Sequence, residues 1–105
     1  METITLEADL QVHVLELKKA ALILRAINHP LRQQMLQLLH QNNQMTVTSL
    51  YVKLRLEQSV ASQHLAILRK AALVNTSRDG KCIYYSVNHT RLQQVHTIAA
   101  DLISQ

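Results

Sequence analysis

The chain has 105 residues, 48% hydrophobic and 3% aromatic, with three Tyr and neither Phe nor Trp. That length suits one small domain with an aliphatic core, and the hydrophobic share excludes disorder. The net charge of +4 favours a polyanionic partner, and the scarcity of aromatics argues against single-stranded nucleic acid, whose bases need stacking platforms.

Gly80 and Pro30 are the only glycine and proline, so each marks a break. Residues 6 to about 28 are predicted as a helix: Leu6, Leu10, Val14 and Leu17 recur at helical spacing, and Ile23, Leu24 and Ile27 extend the stripe. That helix is more apolar than a monomer of this size can bury. Asn28-His29-Pro30 ends it, and Pro30 suits the first turn of a second helix. There Leu31, Met35, Leu38 and Leu39 face inward, with Arg32, Gln33, Gln34 and Gln37 outside. The polar run Gln41 to Gln44 closes it. A third, short helix starts at about Thr48, read as its N-cap, and ends near Leu54. The fourth begins at Glu57, Gln58 and Ser59 and runs to about Ala72, with Val60, Ala61, Leu65, Leu68 and then Leu73 toward the core. Two β-prone runs, Val74 to Arg78 and Cys82 to Val87, are joined around Asp79-Gly80, a strong hairpin signal. A last helix from about Thr90 carries Leu92, Val95, Ile98, Ala99, Leu102 and Ile103 as another wide apolar stripe. The expected class is α+β, mainly helical, with one β-hairpin and no internal repeat.

The charge is not spread evenly. Between Lys53 and Lys81 stand six basic residues (Lys53, Arg55, Arg69, Lys70, Arg78, Lys81) against Glu57 and Asp79, which accounts for the whole +4. A short helix, a tight break, a second helix and a basic hairpin describe a winged helix-turn-helix. In that motif the start of the second helix presents side chains to base edges in the major groove. Gln58, Ser59, Ser62 and Gln63 fit the task, since glutamine pairs bidentately with adenine and serine donates or accepts. Arg78 and Lys81 on the wing, and Arg69 with Lys70 at the far end of the helix, are phosphate candidates.

The run LEQSVASQHLAILRKAALV with a basic hairpin ending in YYSV, and the earlier run NHPLRQQMLQLL, resemble the ArsR/SmtB family of winged-helix repressors over about residues 22–88. The resemblance implies a homodimer held by the first and last helices, which repress by occupying a near-palindromic operator that overlaps a promoter. It also points to Gln58, Ser59, Ser62, Gln63 and His64 on the recognition helix. The implied layout is one domain, 1–105: residues 6–28 and 90–105 dimerise, 46–72 form the helix-turn-helix, and 74–87 form the wing. The implied partners are double-stranded DNA and a second copy of the chain.

Metal sensing, common in the family, is not expected. The thiolate pair of metal sensors falls on Thr46 and Thr48, whose hydroxyls hold soft metals poorly. The Asp/His set falls on His89, Arg91, Leu102 and Gln105, of which only His89 is a ligand type. An alternative His site would draw on His13 with Glu16, His89 and His96. Cys82 cannot form an internal disulfide, which with an acidic N-terminus and no membrane-length apolar run gives a reducing, cytoplasmic setting as the expectation. Cys82 itself is expected to pack as a small hydrophobe. Neither a phosphate-cradling loop nor a carboxylate pair suggests an enzyme. No cofactor is expected, and the effector is left unknown. The second function class is a protein-interaction module that keeps the winged fold without reading DNA.

Overall fold

The computed structural model describes residues 8–104; Leu6 and Gln105, used in the expectations above, lie outside them. The elements are α1 (Ala8–Ile27), α2 (Pro30–Asn42), β1 (Met45–Thr46), α3 (Val47–Leu54), α4 (Gln58–Lys70), β2 (Val74–Asp79), β3 (Cys82–Val87) and α5 (His89–Ile103). The order of helices and the hairpin matches the expectation. β1 was not foreseen: two residues add to the hairpin and make an antiparallel sheet of order β1-β3-β2, with Met45 opposite Tyr85 and Thr46 opposite Tyr84.

Each start has a physical cause. His29 caps α2 by accepting from the Leu31 N–H at 3.1 Å, and Pro30 follows at the first helical position. α3 is capped by Thr46, not Thr48; the Thr46 hydroxyl oxygen accepts from the Ser49 N–H at 3.1 Å. The pairing of Thr46 with β3 gives it the extended backbone a cap requires, which leaves Thr48 inside the helix. Asn88 caps α5 through the Arg91 N–H, and its side-chain amide donates to the Ala72 carbonyl at 2.9 Å. In the hairpin Asp79 pairs with Cys82, so the turn is Gly80-Lys81. Gly80 has φ +65 while Lys81 is not in the left-handed region, the pattern of a type II′ turn.

The core lies where α2, α3, α4 and the base of the hairpin meet. Met35, Leu39, Leu50, Leu65, Leu68 and Leu73 are fully buried there, each contributing about 1.5–3 kcal/mol relative to exposure. Leu36 is buried as well, while Val60, Leu31 and Leu38 are only partly covered. Arg32, expected on the outside of α2, is instead buried at 9% exposure. It folds back onto the end of α1, where backbone carbonyls satisfy it. α1 and α5 differ from this core: Leu15, Leu17 and Leu22 on α1, and Ile98, Leu102 and Ile103 on α5, are exposed. The radius of gyration of 16.4 Å, with extents of 50 × 29 × 25 Å, exceeds the roughly 13 Å of a compact chain of this length, and most of residues 13–20 of α1 are exposed.

Candidate nucleic-acid interface

The break between α3 and α4 is closed by backbone geometry. Arg55 sits in the left-handed region (φ 57, ψ 47). Its N–H donates to the Val52 carbonyl at 3.2 Å, and the Leu56 N–H donates to that of Tyr51 at 2.9 Å. This pair of bonds is a Schellman motif, normally built on glycine. The chain then turns sharply enough for α3 to pack against α4.

α4 has two opposed faces. Ala61, Leu65 and Leu68 point into the core, while Gln58, Ser59, Ser62 and Gln63 are all exposed on the outer side of its first two turns. Glu57 precedes the helix without forming a side-chain cap, so the first N–H groups of α4 are left for an external acceptor such as a phosphate. Arg69 and Lys70, also exposed, occupy the last turn.

The wing stands off the body. Only Val74 and Val87, at its base, are buried; Arg78, Asp79, Gly80, Lys81, Cys82 and Ile83 are exposed at its tip. Arg78 and Lys81 are thus carried away from the core on a two-stranded arm. Cys82 does not pack as a small hydrophobe: it is a free, exposed thiol next to the turn, among residues 78–83 that are all exposed.

His64 is placed differently from the four exposed residues before it. It is half-buried, its Nδ1 accepts from the Arg32 guanidinium at 3.1 Å, and its ring lies 4.9 Å from that of His29. Partial burial first, then the neighbouring His29 and Arg32, hold its pKa below the usual histidine value. Sequence reasoning missed this contact, since helical spacing carries no information on which residues of α2 reach α4.

The histidines considered as alternative metal ligands are dispersed. His13 Nδ1 lies 3.1 Å from Glu16 Oε1 on exposed α1. His89 and His96 both line an 810 Å³ groove between α1 and α5, floored by Leu24, Ile27, Leu92 and Val95, and the His89 ring meets His40 edge-on at 5.3 Å. Among the described residues no group of three or more His, Cys, Asp or Glu is placed to hold a metal ion, and no helix is long and apolar enough to cross a membrane.

Comparison with known proteins adds a separate line of observation. Residues 29–76, from the cap of α2 into the wing, match the model of the bacterial regulatory protein, arsR family. The chain is 37% identical over 75 residues to the transcriptional activator HlyU of Vibrio cholerae, covering 71% of this chain and 68% of that protein. It is 31% identical over 91 residues to the transcriptional repressor PagR of Bacillus anthracis, covering 87% and 91% of the two. The crystal structure of NolR from Sinorhizobium fredii superposes with a TM-score of 0.71 at 32% identity, covering 96% of this chain and 97% of that one.

Proposed function

The chain belongs to the arsR family of bacterial regulatory proteins, a family of DNA-binding transcriptional regulators with the winged helix-turn-helix fold, and on that premise we propose that it acts as a homodimeric repressor of a near-palindromic operator. The observation that carries the reading is the two-faced α4. One face is locked into the core, and the other offers Gln58, Ser59, Ser62 and Gln63 to solvent beside a protruding basic wing. Duplex DNA is the partner that matches both halves, a groove for the helix and phosphates for the wing.

In this reading Gln63, Gln58, Ser59 and Ser62 contact base edges. Arg78 and Lys81 hold phosphates next to the groove, and Arg69 a phosphate at the far end of α4. His64 holds the helix from behind. The second copy docks on α1 and α5, whose bare Leu17, Ile98 and Leu102 would otherwise remain in water. A two-fold dimer places two recognition helices about one DNA turn apart, hence the operator symmetry. Repression needs only occupancy of a promoter-overlapping operator, and is preferred here for that reason although one relative is named an activator. The relatives are regulators, and the reading contains no catalytic step.

The test is a binding assay on a duplex selected from a random library, compared with unselected duplex. Gln63→Ala should cost about 1–3 kcal/mol on the selected duplex and little on the other. Lys81→Ala should weaken both alike and lower the salt slope by about one unit. Equal loss on both duplexes for Gln63→Ala would remove α4 as the reading helix.

A further inference from the structure

Arg32 is the one buried charged residue among the described residues, and none of their carboxylates pairs with it; the one His–carboxylate contact among them, His13 with Glu16, lies exposed on α1. A buried cation without a counter-ion is tolerated only where its donors are satisfied. Here Nε donates to the Ala26 carbonyl and Nη2 to that of Arg25 at 3.1 Å. Both carbonyls lie in the last turn of α1, at the negative end of its dipole. Gln33, the next residue, reinforces the same end by donating to the Ile27 carbonyl at 3.0 Å. The third acceptor is of another kind: Nδ1 of His64, on α4. One guanidinium therefore joins the end of α1 to the helix that carries Gln58, Ser59, Ser62 and Gln63.

An imidazole nitrogen accepts a hydrogen bond only while it is unprotonated, so this contact requires the neutral His64 ring with its proton on Nε2. We propose that Arg32 and His64 form a latch between α1 and α4, closed while His64 is neutral and opened when that ring takes up a proton. The latch stands on its own geometry; its consequence for DNA rests on the reading of α4 given above. Protonation turns the acceptor into a donor that faces another donor, and sets a second cation beside a guanidinium held fast by two carbonyls. The side that yields is α4.

Among the described residues no carboxylate pairs with Arg32 or His64. Of the elements packed against α4, α2 and its cap supply Arg32 and His29, both basic. α1 supplies Arg25, α3 supplies Lys53, and β2 carries Arg78 and Asp79, all with exposed side chains. Val60, Ala61, Ile67 and Leu68, one turn away on α4, are uncharged. The lowered pKa of His64 has the matching sign. Its contribution to stability is fully present above the ordinary histidine value of 6.5 and is lost as pH falls through the lower folded value. Histidine protonation ordinarily strengthens the attraction of a basic protein to phosphates; the latch adds a component of opposite sign.

The experiment has two arms. In the DNA-free protein, NMR follows the His64 ring and the amides of residues 58–70 between about pH 8 and about pH 5. The amides along α4 should shift with the midpoint of His64, and shifts confined to His64 and its immediate neighbours would overturn the latch. In the second arm, the affinity of wild type and His64→Asn for a library-selected duplex is measured over the same range. Asn places an acceptor near the position of Nδ1 and does not titrate, so the other histidines cancel in the ratio. The wild-type to variant ratio of dissociation constants should rise about fivefold or more as pH falls. A flat ratio, or one that falls because a protonated His64 reaches a phosphate, would overturn the latch. His64→Ala, which does not titrate either, replaces His64→Asn if the latter does not fold. Failure of the wild type to bind any duplex at any pH removes the DNA reading alone, and the NMR arm still decides the latch.

Discussion

α4 and α5 are of similar length, 13 and 15 residues, and each carries apolar side chains at helical spacing, yet they end in opposite states. α4 holds Ala61, Leu65 and Leu68 at 1% exposure or less, whereas α5 buries no residue and leaves Ile98 at 55%, Leu102 at 65% and Ile103 at 84%. α1 is bare at Leu15 and Leu17 and reaches the core only near its end, where Ala26 is buried. The same amphipathic pattern is thus a core face where the chain supplies its own partners and a bare face where it does not. Large exposed apolar side chains on both terminal helices are the kind of surface that marks an interaction site, and the proposed dimer would cover them. The helix-turn-helix closes on itself; the terminal helices do not.

The largest expected effect tests the closed half. Leu65→Ala removes a side chain packed on all sides, and should destabilise by about 2–5 kcal/mol, read from urea unfolding at fixed protein concentration. A loss under 1 kcal/mol would mean that α4 is held less by its buried face than by its ends. The open half should respond in another currency. Ile98→Glu with Leu102→Glu adds charge to a face already in water, so the monomer should keep its helical circular dichroism. The dimer constant should weaken by about thirtyfold or more, the scale of losing central apolar anchors, and sedimentation should show a mass halved. Persistence of a full dimer would take α5 out of the interface and leave α1 to carry it alone.

What the sequence could show follows the same division. Periodicity located the helices, because an amphipathic stripe is a local property. The Asp-Gly step located the hairpin, because glycine takes positive φ without the steric cost of a Cβ. The exposure of Gln58, Ser59, Ser62 and Gln63 followed from Ala61, Leu65 and Leu68 being apolar at the complementary spacing. Contacts across elements were not legible. Arg32 reads as an outward residue by spacing and by charge, and its burial is tolerable because the free carbonyls at the end of α1 and the His64 ring accept from it. β1 is two residues long, too short for an alternation to register, and its pairing with β3 decided which threonine caps α3. Cys82 looked like a packing residue because a β-strand usually has something on one side of it, and the wing tip has nothing.

The smallest effect concerns how the two helices stop. α5 ends on Ser104 with an ordinary backbone (φ −86), whereas α4 ends in a second Schellman motif. There the Leu73 N–H donates to the Leu68 carbonyl and the Ala72 N–H to that of Arg69, each at 2.9 Å. The residue in the left-handed position is Ala72, φ +58. A Cβ there costs about 1–2 kcal/mol, while glycine would add about 0.4–1 kcal/mol of unfolded-state entropy. Ala72→Gly should therefore stabilise the protein by roughly 0.5–1 kcal/mol, the difference between those two terms. Asn88 supports the effect, since the amide of the α5 cap already fixes the Ala72 carbonyl and keeps this corner in one conformation. The control is the same chemical change six residues earlier: Ala66→Gly, exposed in the body of α4, should destabilise by about 1 kcal/mol. Opposite signs in thermal unfolding would tie the end of α4 to the backbone at Ala72, and equal signs would mean that the corner carries no strain for glycine to relieve.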